Sequence, residues 1–349
     1  MLTIHNPLHH LHQGQHEMFR GRLVPCHETA QRLDHVLAEL HRRPTGPLRT
    51  PDIADDTLDA ALARLHASRY LNFLAHAWDD WVALDPSNAE RDALPSVWPA
   101  PGMRLDVLPD NFAARMGLFS FDAGTPLTAG SWVAARSGAA CALDAARAVS
   151  SGAASSAFAL SRPPGHHAGA DFFGGYCFLN NAALAAQALR DGGAGRVAVL
   201  DVDYHHGNGT QSIFYERNDV LTVSIHGDPR TEYPFFLGHA DERGAAAGTG
   251  FNLNLPLPRG TDFTRWRAAL HAGLAAVHAF GADALVVSLG VDTFEGDPIS
   301  GFTLRSADYL QVGQDIAAAK LPTVFVFEGG YAVAEVGINT VNVLEGFSR

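Results

Sequence analysis

RVAVLDVDYHHGNG, residues 196–209, decides how this chain is read. Its opening run, 196–201, is apolar and β-branched, the pattern of a strand buried on both faces of a parallel sheet. Side chains alternate along a strand, so Asp203 and His205, two apart, point the same way just past its end. In an open α/β sheet the C-terminal edge is where ligands bind. A carboxylate and an imidazole side by side there suit a divalent metal. Gly207 and Gly209 let the chain turn sharply straight afterwards.

Two such ligands need a third, and SLGVDTFEGDP, 288–298, supplies it. Another strand-like run ends there, with Asp292 just beyond. Two carboxylates and one imidazole leave a fourth position open, the mark of a catalytic zinc site. Two anionic ligands neutralise the ion, so water on it is less acidified than with three histidines, and a strong base must stand nearby. RPPGHHAG, 162–169, also follows a strand and offers His166 and His167 on a turn, where both can face one cavity. Histidine titrates near neutrality, which suits acid–base work. Asp201 and Asn208 are natural partners for the two rings, and a carboxylate on one with an amide on the other would give them different roles. FEGGY, 327–331, places Tyr331 on a glycine turn from which its hydroxyl can donate to a developing oxyanion. In FGGYCFLNN, 173–181, Gly174 and Gly175 allow close backbone approach and Tyr176 can wall a narrow tunnel.

Each feature alone has a plainer reading: a strand-end Asp often caps a helix, and a Gly-Gly pair serves any bend. Five of them, each at the end of a strand, point to one site.

The rest of the chain agrees with an enzyme of the α/β class. Its 349 residues would allow two domains by length, but strand-like and helix-like segments alternate from about residue 130 without a linker, so 1–349 is expected to be one catalytic domain. A net charge of −12 argues against nucleic acid and could draw in cations. Cys26, Cys141 and Cys177 show no paired spacing, and the expectation is reduced thiols in a cytoplasmic protein. No signal peptide or membrane-spanning run is evident. Strands are expected at 2–5, 157–160, 196–201, 220–226, 284–289 and 323–327. Helices are expected at 28–41, 57–84 with a break near Ser68, 132–149, 181–190 and 264–280. Between Pro95 and Ser131 prolines crowd into a long loop that also holds Trp98, Phe112, Phe119 and Phe121, too apolar for a disordered linker. It is expected to pack on the domain or on a partner subunit. The N-terminal histidines 9, 10, 12 and 16 need no metal to account for them.

RPPGHHAG, GGYCFLNNAA, LDVDYHHGNGTQ, VSIHGDP, SLGVDTFEGDP and EGGY, in that order, resemble the histone deacetylase superfamily, particularly its acetylpolyamine amidohydrolase branch. The similarity runs from about Leu23 to the C-terminus. It implies an arginase/deacetylase fold, with a central parallel sheet of about eight strands flanked by helices. It implies zinc on Asp203, His205 and Asp292, with Fe2+ or Co2+ able to substitute. His166 and His167 would flank a metal-held water that attacks the amide carbonyl, and Tyr331 would polarise that carbonyl. His167 is read as general base and then acid, with His166 and Asp201 stabilising charge; the sequence leaves an exchange of these roles open. A structural potassium ion is implied on Asp201, Ser224 and the main chain of Asp203, His205 and Ile225, with a second near Phe214, Arg217 and Val220. Tyr176 and Tyr233, with Gly175, fall where the family's substrate tunnel runs. The expected substrate is a small N-acetylated primary amine such as an acetylpolyamine, and the expected assembly a homodimer through the 95–131 loop. Acetylated protein lysine is the alternative substrate, a non-catalytic acyl-amine-binding protein the alternative of another class, and a dimanganese arginase-like hydrolase is less well matched. One departure bears on specificity. Two glutamates of the acetylpolyamine enzymes align with Ala113 and Gly124, leaving Asp110 and Asp122 as candidate rim acids.

Overall fold

The computed structural model describes every residue from Met1 to Arg349. Its strands are β1 (Leu2–His5), β2 (His16–Phe19), β3 (Arg22–Pro25), β4 (Leu48–Arg49), β5 (Ser156–Leu160), β6 (Val197–Asp201), β7 (Val220–Gly227), β8 (Asn252–Leu257), β9 (Ala284–Leu289) and β10 (Thr323–Phe327). Eight form one sheet in the order β4-β1-β5-β10-β9-β6-β7-β8, and β2 and β3 make a separate hairpin. Every pairing in the large sheet is parallel. The expected arginase/deacetylase architecture is the one observed.

The continuous apolar runs have a simple cause. Val197, Val199 and Val286 enter one core, packed under helices that include Ser131–Ser150 and Asn181–Asp191. Ala198, Leu200, Leu285 and Val287 enter the other, under Gln31–Arg42, Phe263–Phe280, Asp308–Ala317 and Val333–Ser348. A strand covered on both faces has no polar alternation to keep. The four central strands β5, β10, β9 and β6 are neighbours, so the loops that leave their C-terminal ends meet in one place.

Differences from the sequence reading are local. The first helix begins at Gln31 rather than 28, because Glu28 instead enters a buried ion cluster with Arg32 and Arg162. Strand β8 was not anticipated: Asn252, Asn254 and Pro256 mask an edge strand, where a proline costs no ladder bond. The 95–131 loop is not wholly irregular. Phe112–Leu118 is a helix capped by the Asn111 side chain, which accepts from Ala114 N–H at 3.1 Å. Phe112 and Phe119 are buried in this chain's own core, and Phe119 stacks on Phe73, so neither is free for a partner. Trp98, by contrast, is exposed.

Candidate active site

Asp203, His205 and Asp292 arrive from the ends of β6 and β9 with their donor atoms all within 4.8 Å of one another, and all three residues are buried. His205 Nδ1 lies 3.0 Å from Asp292 Oδ2 and 3.4 Å from Asp203 Oδ1. Backbone N–H groups fix the carboxylates. Asp292 Oδ1 accepts from Tyr204 at 2.8 Å, and Asp203 accepts from His205 at 2.9 Å and Gly329 at 2.8 Å. A Cβ on Gly329 would sit 2.5 Å from Asp203 Oδ2 and 2.7 Å from Asp292 Oδ2, so only glycine lets the β10 turn close over the ligands. Burial, then the neighbouring Asp203, pushes the Asp292 carboxyl up to about 7. Two crowded carboxylates in a dry pocket are short of positive charge, and a divalent cation fits that deficit.

The two tandem histidines differ in their partners. His166 Nδ1 meets Asp201 Oδ2 at 2.9 Å, and His167 Nδ1 meets Asn208 Oδ1 at 2.6 Å. Burial works against charge on His166, but Asp203 and Asp201 outweigh it and raise the imidazole to about 10. Burial, reinforced by His166 and His205, drives His167 well below the ordinary histidine value. The two rings, with centroids 4.0 Å apart, are thus pushed in opposite directions. Glu328 Oε2 accepts from Gly165 N–H at 2.6 Å and His166 N–H at 3.1 Å, tying the β10 turn to the histidine loop.

Tyr331 is buried, with its N–H donated to Asp297 Oδ2 at 2.8 Å. The Arg32 guanidinium lies 4.7 Å over its ring, donates to Gly330 O at 2.6 Å and also bonds Glu328 O. An arginine in an amphipathic helix reads as surface, so sequence reasoning missed Arg32. Its burial becomes intelligible only with Glu28 beside it.

His167, His205 and Tyr331 line a cavity of about 380 Å³ that also takes in Gly175, Tyr176 and Tyr233. Gly175 sits at φ +54°, and a Cβ there would lie 2.2 Å from His167 Cδ2. Of the two candidate rim acids, Asp110 is exposed and is not among the residues lining the cavity. Asp122 does line it, but its carboxylate is already engaged. Oδ1 accepts from Gly124 N–H at 3.0 Å and Thr125 Oγ1 at 3.1 Å, while Oδ2 accepts from Gly175 N–H at 2.7 Å and the Tyr233 hydroxyl at 2.6 Å. Asp122 is thus a clasp for the tunnel wall on the lining of the cavity, not a solvated loop acid. Glu17, in the β2–β3 hairpin, lines the cavity and was missed, since no motif surrounds it.

Asp201 and Ser224 are register partners on β6 and β7, beside a small polar cavity they share with Thr222, Asn252 and Asn254. Of the residues on which the resemblance implies potassium, Asp201 and Ser224 line this cavity, and Asp203, His205 and Ile225 do not. Of the N-terminal histidines, His12 is buried 2.8 Å from Ser131 Oγ, a packing role.

A histone deacetylase domain model matches residues 26–347. The chain belongs to the histone deacetylase family. It is 54% identical over 347 residues to acetylpolyamine amidohydrolase 2 of Pseudomonas aeruginosa, covering 99% of this chain and 98% of that one. It is 46% identical over 346 residues to the acetylpolyamine amidohydrolase of Mycoplana ramosa, with 99% of each covered. A crystal structure of the acetylpolyamine aminohydrolase from Burkholderia pseudomallei superposes with a TM-score of 0.92 at 38% identity, over 99% of this chain and 98% of that one. This histone deacetylase family member is a hydrolase of amide bonds.

Proposed function

We propose that this chain is a single catalytic domain that removes acetyl, or similar acyl, groups from primary amines on slender chains, acetylpolyamines foremost. The observation that carries the reading is the meeting of His167, His205 and Tyr331 on one cavity, with the donors of Asp203 and Asp292 gathered around His205 and the differently partnered His166 ring 4.0 Å from His167. The names of the relatives bring the acetylpolyamine class to this chain.

Asp203, His205 and Asp292 would hold zinc, or Fe2+ or Co2+ in its place. When bound, the ion supplies Lewis acidity to the amide carbonyl and to water. The residues do the rest. Tyr331 donates its hydroxyl to the carbonyl oxygen as negative charge builds there. His167, neutral and oriented by Asn208, takes the proton from the attacking water and returns it to the departing amine. His166, whose Nδ1 meets Asp201 Oδ2 at 2.9 Å, would stabilise the same negative charge. Tyr176 and Tyr233 confine a straight chain and exclude a folded protein surface. Potassium on Asp201, Asp203, His205, Ser224 and Ile225 would stiffen the metal loop from behind, and a second ion would sit near Phe214, Arg217 and Val220. No helix is long and apolar enough to cross a membrane, and we propose a cytoplasmic homodimer joined through the 95–131 loop.

The test is turnover by metal-loaded protein of acetylated diamines, neutral acetylated amines and acetyl-lysine peptides. Chelator-sensitive hydrolysis of the small amines, restored by zinc or cobalt, is expected. Hydrolysis of intact acetylated histones in preference to small amines would overturn the substrate assignment.

A further inference from the structure

The tunnel mouth carries a charge arrangement that the chemistry itself does not need. Glu17 is 1% exposed and lines the cavity. Its Oε1 accepts from the Tyr176 hydroxyl at 3.0 Å and lies 2.7 Å from His27 Nδ1, and its Oε2 accepts from the His27 backbone N–H at 3.2 Å. The His27 side chain is 24% exposed, so protons reach it from solvent while its partner stays dry. No other carboxylate lining the cavity has a titratable partner of this kind. Asp122 has its four donors, and Glu232 is paired with Arg259 at 3.3 Å. The charge that Glu17 shows the cavity therefore depends on whether His27 carries a proton.

We propose that His27 is a titratable counter-ion to Glu17 that sets the tunnel's preference for cationic acyl-amines. With His27 neutral, Glu17 offers a full negative charge to an ammonium farther along the substrate. With His27 protonated, the pair is neutral and the attraction falls. The proposal rests on the small acyl-amine reading above and names the residues that grade its substrates.

The groups around the pair agree with this direction. The hydrogen bond to Glu17 is the largest influence on His27 and raises its imidazole, with Asp297 adding to the effect against burial. Cys26, beside it, is pushed up to about 12, mainly by burial, and stays a neutral thiol. Burial also raises Tyr176 well above the ordinary phenol value, so its hydroxyl remains a donor to Glu17. Arg20 lines the cavity, and Phe19 covers the His27 ring at 5.2 Å. Arginine keeps its charge throughout, so it offsets the preference by a constant and gives it no pH dependence. A raised His27 is protonated at and below the ordinary imidazole value of 6.5, and loses its proton as pH rises through the higher folded value. Preference for cations should therefore climb with pH.

The experiment compares two acetylated amines of equal length, one ending in a primary ammonium and one in a methyl group, from about pH 6 to about pH 8.5, where an alkylammonium stays charged. In the wild type the cationic-to-neutral ratio of kcat/KM should rise roughly three- to ten-fold across this range, through KM, and shrink with added salt. His27→Gln should hold the ratio high at every pH, and His27→Lys should hold it low. By NMR, Glu17→Gln should lower the His27 titration midpoint. A ratio flat with pH while both substrates turn over, or a His27 midpoint unmoved by Glu17→Gln, would overturn the proposal. Turnover of neither substrate would instead strike at the acyl-amine reading, and the NMR titration would still decide the counter-ion.

Discussion

In the proposed mechanism Tyr331 acts through one hydroxyl, while its backbone and ring are held by Asp297 and Arg32. Tyr331→Phe should therefore keep the fold and the metal content but cut kcat by about 10²–10³-fold, the usual loss for one oxyanion donor. Stopped assays with metal analysis of the same sample check it, and an unaltered kcat would reduce FEGGY to a turn. The tandem histidines should separate by pH. His167 has a depressed imidazole and must be neutral to act as a base, so its loss of function lies on the acid limb, below the ordinary histidine range. His166 is raised and in the proposed mechanism acts as a cation, so its contribution should fade as pH rises on the alkaline limb. His167→Ala should remove the first limb and His166→Ala the second, at equal metal loading. Identical profiles would refute the division of roles. Asp122 makes a further prediction. Its four acceptor contacts are structural, so Asp122→Asn should weaken cationic and neutral substrates alike, independent of salt. Selective, salt-sensitive loss of the cationic substrate would mean that Asp122 faces the ammonium after all. That the candidate ligands, histidines and tyrosine lie together was legible in sequence because strand ends announce themselves. Glu17 and Arg32 were not, because their meaning lies in partners far along the chain.

Elements show the same division. Strands covered on both faces, such as β6, β9 and β10, declare themselves as unbroken apolar runs. The hairpin of β2 and β3, the edge strand β8 and the helix at 112–118 do not, since polar residues or prolines hide their period. The first helix illustrates what tertiary structure adds. Glu28, just before it, binds Arg32 at 2.8 Å and Arg162 at 2.8 Å, all three buried, and Arg32 in turn clamps the turn that carries Tyr331. Burial alone would raise the Glu28 carboxyl, but the two arginines outweigh it and hold it below its ordinary value. A depressed acid stabilises the fold above the unfolded value and loses that contribution as pH falls through the folded one. Glu28→Ala should cost about 3–5 kcal/mol, because two buried guanidinium groups lose their counter-charge. Urea unfolding near neutrality measures it. A loss under about 1 kcal/mol would show that the arginines relax to other acceptors.

At the scale of the whole molecule, one segment looks outward without a partner. Val97 is 56% exposed, Trp98 38%, Met103 63%, Leu105 53% and Val107 51%, all within the long loop, while Phe112 and Phe119 from the same loop are spent on the core. Burying such side chains against a partner is favourable by about 1.5–3 kcal/mol each, and large exposed apolar surface marks interaction sites. The loop is also anchored to the tunnel: Phe173 N–H donates to Phe119 O at 2.7 Å, and Asp122 clasps Gly175 and Tyr233. A second copy docked on this segment would therefore brace the tunnel wall as well as hide apolar surface. Sedimentation at micromolar concentration should find a dimer, and Leu105→Asp with Val107→Asp should give folded monomers, because two carboxylates cannot be buried unpaired at the interface centre. In those monomers the exclusion of acetylated peptides relative to small acyl-amines should weaken, with kcat on the small amines changed less than the discrimination. A wild-type protein that sediments only as monomer, or double variants that remain dimeric, would remove the loop from any role in assembly.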